Sequence, residues 1–218
     1  MAWTGATTYG YADRREAGRQ LGRLLAEARW HRPVVLGLAR GGVPVAAEVA
    51  EALHAPLDVM VARKIGAPGQ PEYGIGAVTA AGRPVYDEAA LSALGLREAD
   101  MAATCTRERQ EARRRLASYR RDTPLDRAGR DVILVDDGLA TGVTARAALR
   151  ALRQEHPARL VLAVPVGAPQ AVHHLSREAD EVICPLQPAQ FRAVGQWYED
   201  FTQVTDAEVT AALALHRA

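Results

Sequence analysis

The chain has 218 residues, 48% of them apolar and 24% charged, and its formal net charge is +1. A chain of this size and apolar content can bury a core of its own, which excludes a disordered or collagen-like polymer. The near-neutral balance excludes a polycationic nucleic-acid coat and weighs against nucleic acid as a partner.

In chain order, residues 13–30 have the spacing of an Arg-rich amphipathic helix, with Leu21, Leu24, Leu25 and Ala28 on one face. Pro33 ends it. Val34 to Ala39 is a short apolar run between Pro33 and an Arg-Gly-Gly turn and predicts a strand buried on both faces. A helix is expected over 43–53 and a second strand over 57–63. The stretch 66–76, rich in Gly and Pro, predicts a mobile loop rather than regular structure. Residues 77–88 predict a hairpin across Ala81 and Gly82, and 89–121 a charged helical insertion. Asp131 to Asp137 is the clearest buried strand, followed by a glycine-bearing turn and a helix over 142–154. Two more strands are expected in LVLAVPVG and EVIC, with a helix over 170–177 between them. Strands alternating with helices imply βαβ crossovers. The expected fold class is therefore α/β, a mainly parallel central sheet with helices on both faces, in a single domain over 1–218. The segment 185–218 carries Phe191, Trp197, Tyr198 and Phe201, four of the eleven aromatic residues.

Cys105 and Cys184 match neither a metal-ligand spacing nor a disulfide framework, so a reducing, cytoplasmic setting is the expectation. The first twenty residues lack an apolar signal core and no run approaches the roughly eighteen apolar residues of a membrane span, so neither a leader nor a membrane is expected.

The candidate chemistry lies in VILVDDGLATGVT, Val132 to Thr144. Two adjacent acids, Asp136 and Asp137, stand at the carboxyl end of a buried strand, the edge at which open parallel sheets bind ligands. The turn that follows brings backbone N–H groups and Thr hydroxyls to a helix N-terminus, which suits a phosphate. The carboxylates repel phosphate but accept hydrogen bonds from sugar hydroxyls or order a hydrated Mg²⁺. Acids beside a phosphate cradle suggest a phosphorylated sugar. Taken singly, an Asp at a strand end and Thr141 as a plain N-cap would explain the pieces without a ligand.

This segment resembles the signature of type I phosphoribosyltransferases, an apolar strand, two acids and a Thr-Gly loop. The resemblance implies that Gly138, Leu139, Ala140, Thr141, Gly142, Val143 and Thr144 bind the 5′-phosphate of phosphoribosyl pyrophosphate (PRPP). It implies that Asp136 and Asp137 contact its ribose and hold Mg²⁺ directly or through water. It also implies that Ala39, Arg40, Gly41 and Gly42, after the first strand, bind pyrophosphate. In the loop expected after the second strand, Arg63 and Lys64 would be cationic catalytic residues. Lys64 is the one lysine among 27 basic residues. The implied activity is a pentosyl transfer from PRPP to a nitrogen acceptor, a nucleobase in nucleotide metabolism, with Mg²⁺ as cofactor and a homodimer as the assembly.

Oxopurine enzymes of that family carry an Asp where this chain has Ala140, and the string LATG, together with RK followed downstream by EYG, is more similar to adenine phosphoribosyltransferases. Glu72 then becomes a candidate acid/base. The tail 185–218 would be the hood that covers the acceptor, with Phe191, Trp197 or Tyr198 stacking on a planar ring. Residues 107–121 hold seven Arg and two Glu. Those charges carry the alternative, a non-catalytic sensor of PRPP or a nucleotide that binds nucleic acid or protein; a solvated helix with Glu–Arg pairs such as Glu111 and Arg115 is the plainer account.

Overall fold

The computed structural model describes residues 10–119 and 125–216, apart from the side chains of residues 71 and 72. Its strands are β1 (Val34–Ala39), β2 (Leu57–Ala67), β3 (Gln70–Thr79), β4 (Val85–Tyr86), β5 (Asp131–Val135), β6 (Arg159–Ala163) and β7 (Glu181–Ile183). Its helices are α1 (Arg14–Ala26), α2 (Gly42–Ala52), α3 (Glu88–Ala93), α4 (Ala102–Tyr119), α5 (Val143–Arg153), α6 (Pro169–Leu175) and α7 (Asp206–Leu215), with 3-10 turns at Glu98–Met101 and Val194–Trp197.

The strands form one mixed sheet in the order β4-β3-β2-β1-β5-β6-β7. β2, β1, β5, β6 and β7 are parallel, whereas β3 and β4 are antiparallel additions at one edge. β1 and β5 are central, and their side chains divide with period two. Val35, Ile133 and Val135 pack on one face with Leu21 of α1 and Val49 of α2. Val34, Leu36, Val132 and Leu134 pack on the other face with Leu149 of α5 and Leu175 of α6. Burial on both faces is why these strands appear in sequence as unbroken apolar runs. The expected α/β class holds.

α1 is shorter than its periodicity suggested, ending at Ala26, with Ala28 exposed beyond it. It lies close against α2 because Gly18 and Gly22 face it: a Cβ on Gly18 would stand 2.7 Å from the Val45 carbonyl oxygen, and one on Gly22 would stand 2.8 Å from the Ala52 Cβ.

The expected mobile loop over 66–76 is not a loop. β2 and β3 run through it as an antiparallel hairpin, irregular at Ile65 to Ala67 and turning at Pro68 and Gly69, where φ is +73°. The glycines suggested a break, but Ile65, Ala67, Ile75 and Val78 share one face and are buried against Ala90, Leu91, Met101 and Cys105. The insertion provides that cover. α3, a 3-10 turn and α4 occupy 88–119, while residues 120 and 121 lie outside the described residues. The β3–β4 hairpin forms as expected. Among the described residues no helix is long and apolar enough to cross a membrane.

Candidate functional site

β5 ends at Val135 and delivers Asp136 and Asp137 to the carboxyl edge of the sheet. The Asp137 N–H donates to Asp136 Oδ1 at 2.9 Å. Burial, together with the neighbouring Asp137 charge, pushes the Asp136 carboxyl well above the usual carboxylate range. Burial also raises Asp137, against which the Arg14 guanidinium acts to lower it. Burial thus disfavours charge on both carboxylates, and Arg14 opposes this at each.

The turn after the acids is pinned from below. Leu139 is buried, its N–H donates to the Val166 carbonyl at 3.0 Å, and its own carbonyl accepts from the Ala168 N–H at 2.8 Å. Ala140 and Thr141 are left exposed above it. Gly142 adopts φ +72° as the N-cap of α5, and no side chain caps that end. Thr141 is therefore not a plain N-cap, and first-turn donors of an eleven-residue helix stand uncapped where an anion fits.

The strand-to-helix turn after β1 lies directly beside the acids. The Ala39–Arg40 peptide is cis. A Cβ on Gly41 would stand 2.1 Å from Asp137 Oδ2, and one on Gly42 would stand 2.5 Å from the Val135 carbonyl oxygen. Only glycine permits this approach, which makes one wall from two segments far apart in sequence. Arg40 stands 3.8 Å from Asp206, at the start of α7.

Ala39, Arg40, Gly41, Lys64, Asp136, Asp137, Gly138 to Gly142 and Thr144 line one cavity of about 460 Å³. A larger cavity of about 990 Å³, between α5 and the β3–β4 connection, contains none of these residues. Val143 is buried beneath the turn, and Gly42 lies behind Gly41.

Arg63 and Lys64 part company. Both lie on β2, where alternate residues face opposite ways. Lys64 reaches the cavity, whereas Arg63 bonds Glu108 of α4, its Nη2 3.0 Å from Oε2. Glu72 is on β3, and its side chain falls outside the described residues.

The three tail aromatics expected to meet an acceptor are elsewhere. Phe191, Trp197 and Tyr198 pack with Tyr11, Val166 and Leu186. Tyr198 O–H donates to the Asp137 carbonyl at 2.6 Å. Burial raises this phenol, which keeps it a donor. The tail residues on the cavity wall are instead Val194, Phe201, Gln203 and Val204.

Arg14 also lines the cavity, and nothing in the sequence marked it among 26 arginines. Its Nε donates to Asp137 Oδ2 at 2.8 Å and its Nη1 to the Thr202 carbonyl at 2.9 Å, with the guanidinium 3.8 Å from the Phe201 ring centroid.

A family model described as the phosphoribosyl transferase domain matches residues 14–197. Two curated proteins from strains of Mycobacterium tuberculosis, provisionally named phosphoribosyl transferases, are each 46% identical over 204 residues, which is 93% of this chain and 46% of theirs. The chain thus spans about half the length of those relatives. The crystal structure of TT1426 from Thermus thermophilus is 45% identical with a TM-score of 0.80, over 96% of this chain and all of that one. A protein from Aquifex aeolicus, 12% identical with a TM-score of 0.50 over 84% of this chain and 78% of its own, shares the fold.

Proposed function

Because this chain belongs to the phosphoribosyl transferase domain family, we propose that its 460 Å³ cavity binds PRPP and transfers the 5-phosphoribosyl group to a nitrogen acceptor, with release of pyrophosphate. The supporting observation is convergence: an uncapped α5 N-terminus, a half-buried acid pair, the Gly41 turn and Lys64 all face one space. The Gly138 to Thr144 turn binds the 5′-phosphate. Asp136 and Asp137 accept from the ribose hydroxyls, and the backbone N–H groups of Ala39 to Gly42 with Arg40 hold the pyrophosphate.

The C1–oxygen bond to pyrophosphate breaks as the acceptor nitrogen bonds C1, and the acceptor's proton leaves to solvent or a carboxylate. Charge grows on the departing pyrophosphate, where the Lys64 ammonium and the turn amides stabilise it. Arg63, turned to Glu108, takes no part in this arrangement.

The donor set fits Mg²⁺. Two half-buried carboxylates side by side on the cavity wall offer hard oxygen ligands. Asp136 and Asp137 would hold the ion together with donor and water oxygens. When bound, Mg²⁺ supplies positive charge against the donor's phosphates.

Val194, Phe201 and Gln203 form the acceptor wall, so the segment 185–218 acts as the hood through these residues rather than through Phe191, Trp197 and Tyr198. The sensor alternative loses support from the Arg-rich helix. Arg109 and Arg113 bond the Gly82 and Ala80 carbonyls, Arg114 and Arg115 pair with Glu111, and Arg107 pairs with Glu108.

The test supplies PRPP, Mg²⁺ and a panel of purines, pyrimidines and small amines and follows pyrophosphate. Acceptor-dependent release is expected. No release with any acceptor, together with tight salt-sensitive RNA binding, would replace transfer with the sensor.

A further inference from the structure

We propose that Arg14 is a positioning residue for the donor: by holding Asp137 Oδ2 it fixes the orientation in which that carboxylate meets the ribose hydroxyls. The inference rests on the phosphoribosyl transfer proposed above.

Helix energetics do not explain this arginine. A cation in the first turn opposes the helix dipole, and α1 is already capped by Asp13, whose carboxylate accepts from the Glu16 N–H at 2.7 Å. Arg14 instead turns inward. Its side chain is 11% exposed and that of Asp137 is 13% exposed, so little water competes for their 2.8 Å bond. The guanidinium is fixed by more than its carboxylate. The Thr202 carbonyl accepts from Nη1, the Phe201 ring lies against it, and the close approach of Gly18 and Gly22 to α2 sets the position of α1.

Asp137 is held in two separable ways. Tyr198 O–H donates to its carbonyl, and its N–H donates to Asp136 Oδ1; both fix the backbone, and neither involves Arg14. The carboxylate is oriented by Arg14, which bonds Oδ2. Without Arg14 the two backbone bonds remain, and the carboxylate loses the bond that orients Oδ2.

This separation gives a ligand-specific test. Ribose hydroxyls reach Asp137, whereas inorganic pyrophosphate binds at the Arg40 turn and does not need it. Calorimetry on the full chain in metal-free buffer, where no ion links pyrophosphate to Asp137, measures PRPP, ribose 5-phosphate and pyrophosphate binding for the unaltered protein, Arg14→Gln and Arg14→Lys. Arg14→Gln should weaken PRPP and ribose 5-phosphate about tenfold, the scale of one charge-assisted hydrogen bond, and change pyrophosphate affinity less than twofold. Arg14→Lys should recover part of the loss, since an ammonium retains the charge but not the fork that spans Asp137 and Thr202.

Equal PRPP affinity in Arg14→Gln and the unaltered protein would overturn the positioning role. Equal weakening of all three ligands would also overturn it, by showing a general structural loss. If the unaltered protein binds pyrophosphate but neither PRPP nor ribose 5-phosphate, the transfer reading fails first and takes this inference with it.

Discussion

Gly41→Ala is the sharpest test of the site, because the new methyl would stand 2.1 Å from Asp137 Oδ2 and 2.7 Å from its Cγ. Both distances are far inside van der Waals contact, so either the turn or the carboxylate must move by about an ångström. The turn has little room toward the sheet, since Gly42 already lies against Val135 and Asp136. The carboxylate can move only by leaving Arg14. Overpacking costs about 1–3 kcal/mol. Loss of the charge-assisted bond adds about 1.5–3 kcal/mol where the carboxylate is the group that yields. Where both apply, a destabilisation of about 2.5–6 kcal/mol corresponds to a Tm lower by roughly 5–24 °C for a chain of this size. Differential scanning calorimetry should show that fall, and a PRPP titration should show affinity reduced at least tenfold. Gly95→Ala is the control: φ is +64° but nothing lies within 4 Å of the added methyl, so it should cost about 1 kcal/mol of backbone strain and leave PRPP affinity alone. If Gly41→Ala keeps both its Tm and its PRPP affinity, the turn does not rest against Asp137 and the wall described here is wrong.

Lys64→Ala should lower the rate of PRPP-dependent pyrophosphate release about 10²–10³-fold, equivalent to roughly 2.7–4 kcal/mol of lost charge stabilisation, with Tm little changed because the residue is exposed; a rate within threefold of normal would remove Lys64 from the reaction. Asp136→Asn should raise Tm at pH 7 in metal-free buffer while weakening PRPP binding. Burial and the Asp137 charge raise the folded-state value of this carboxyl, so its contribution to stability is fully present below its unfolded value near 4 and is lost as pH rises through the higher folded value. The Tm advantage of the variant should therefore close as pH falls toward about 4. A Tm below that of the unaltered protein at pH 7, or an advantage that grows on acidification, would refute this account.

What the sequence disclosed and what it concealed follow from the range of each interaction. The acid pair, the Thr-Gly turn and the buried strand lie within thirteen consecutive residues, Val132 to Thr144, so their geometry is set locally and was legible. The Arg14–Asp137 bond joins residues 123 apart, and no local pattern signals it. The misassigned hairpin is more instructive. Glycine and proline suggested a loop over 66–76, and a loop has no facing rule, so Arg63 and Lys64 could both be assigned to one anion. A strand does have such a rule. Once Ile65 and Ile75 are seen in one buried cluster on paired strands, β2 must turn adjacent residues to opposite sides. Arg63 then shares the face of Ile65 and meets Glu108, while Lys64 shares the face of Ala62 and reaches the cavity. The same distinction applies to the tail, where aromatic character alone did not separate packing from binding. Phe191, Trp197, Tyr198 and Phe201 all join one apolar cluster, in which Tyr198 bonds the Asp137 carbonyl and only Phe201 also reaches the cavity wall, against Arg14. The single lysine became legible only through this parity: the strand that sends Arg63 to Glu108 is what places the Lys64 ammonium opposite the acids.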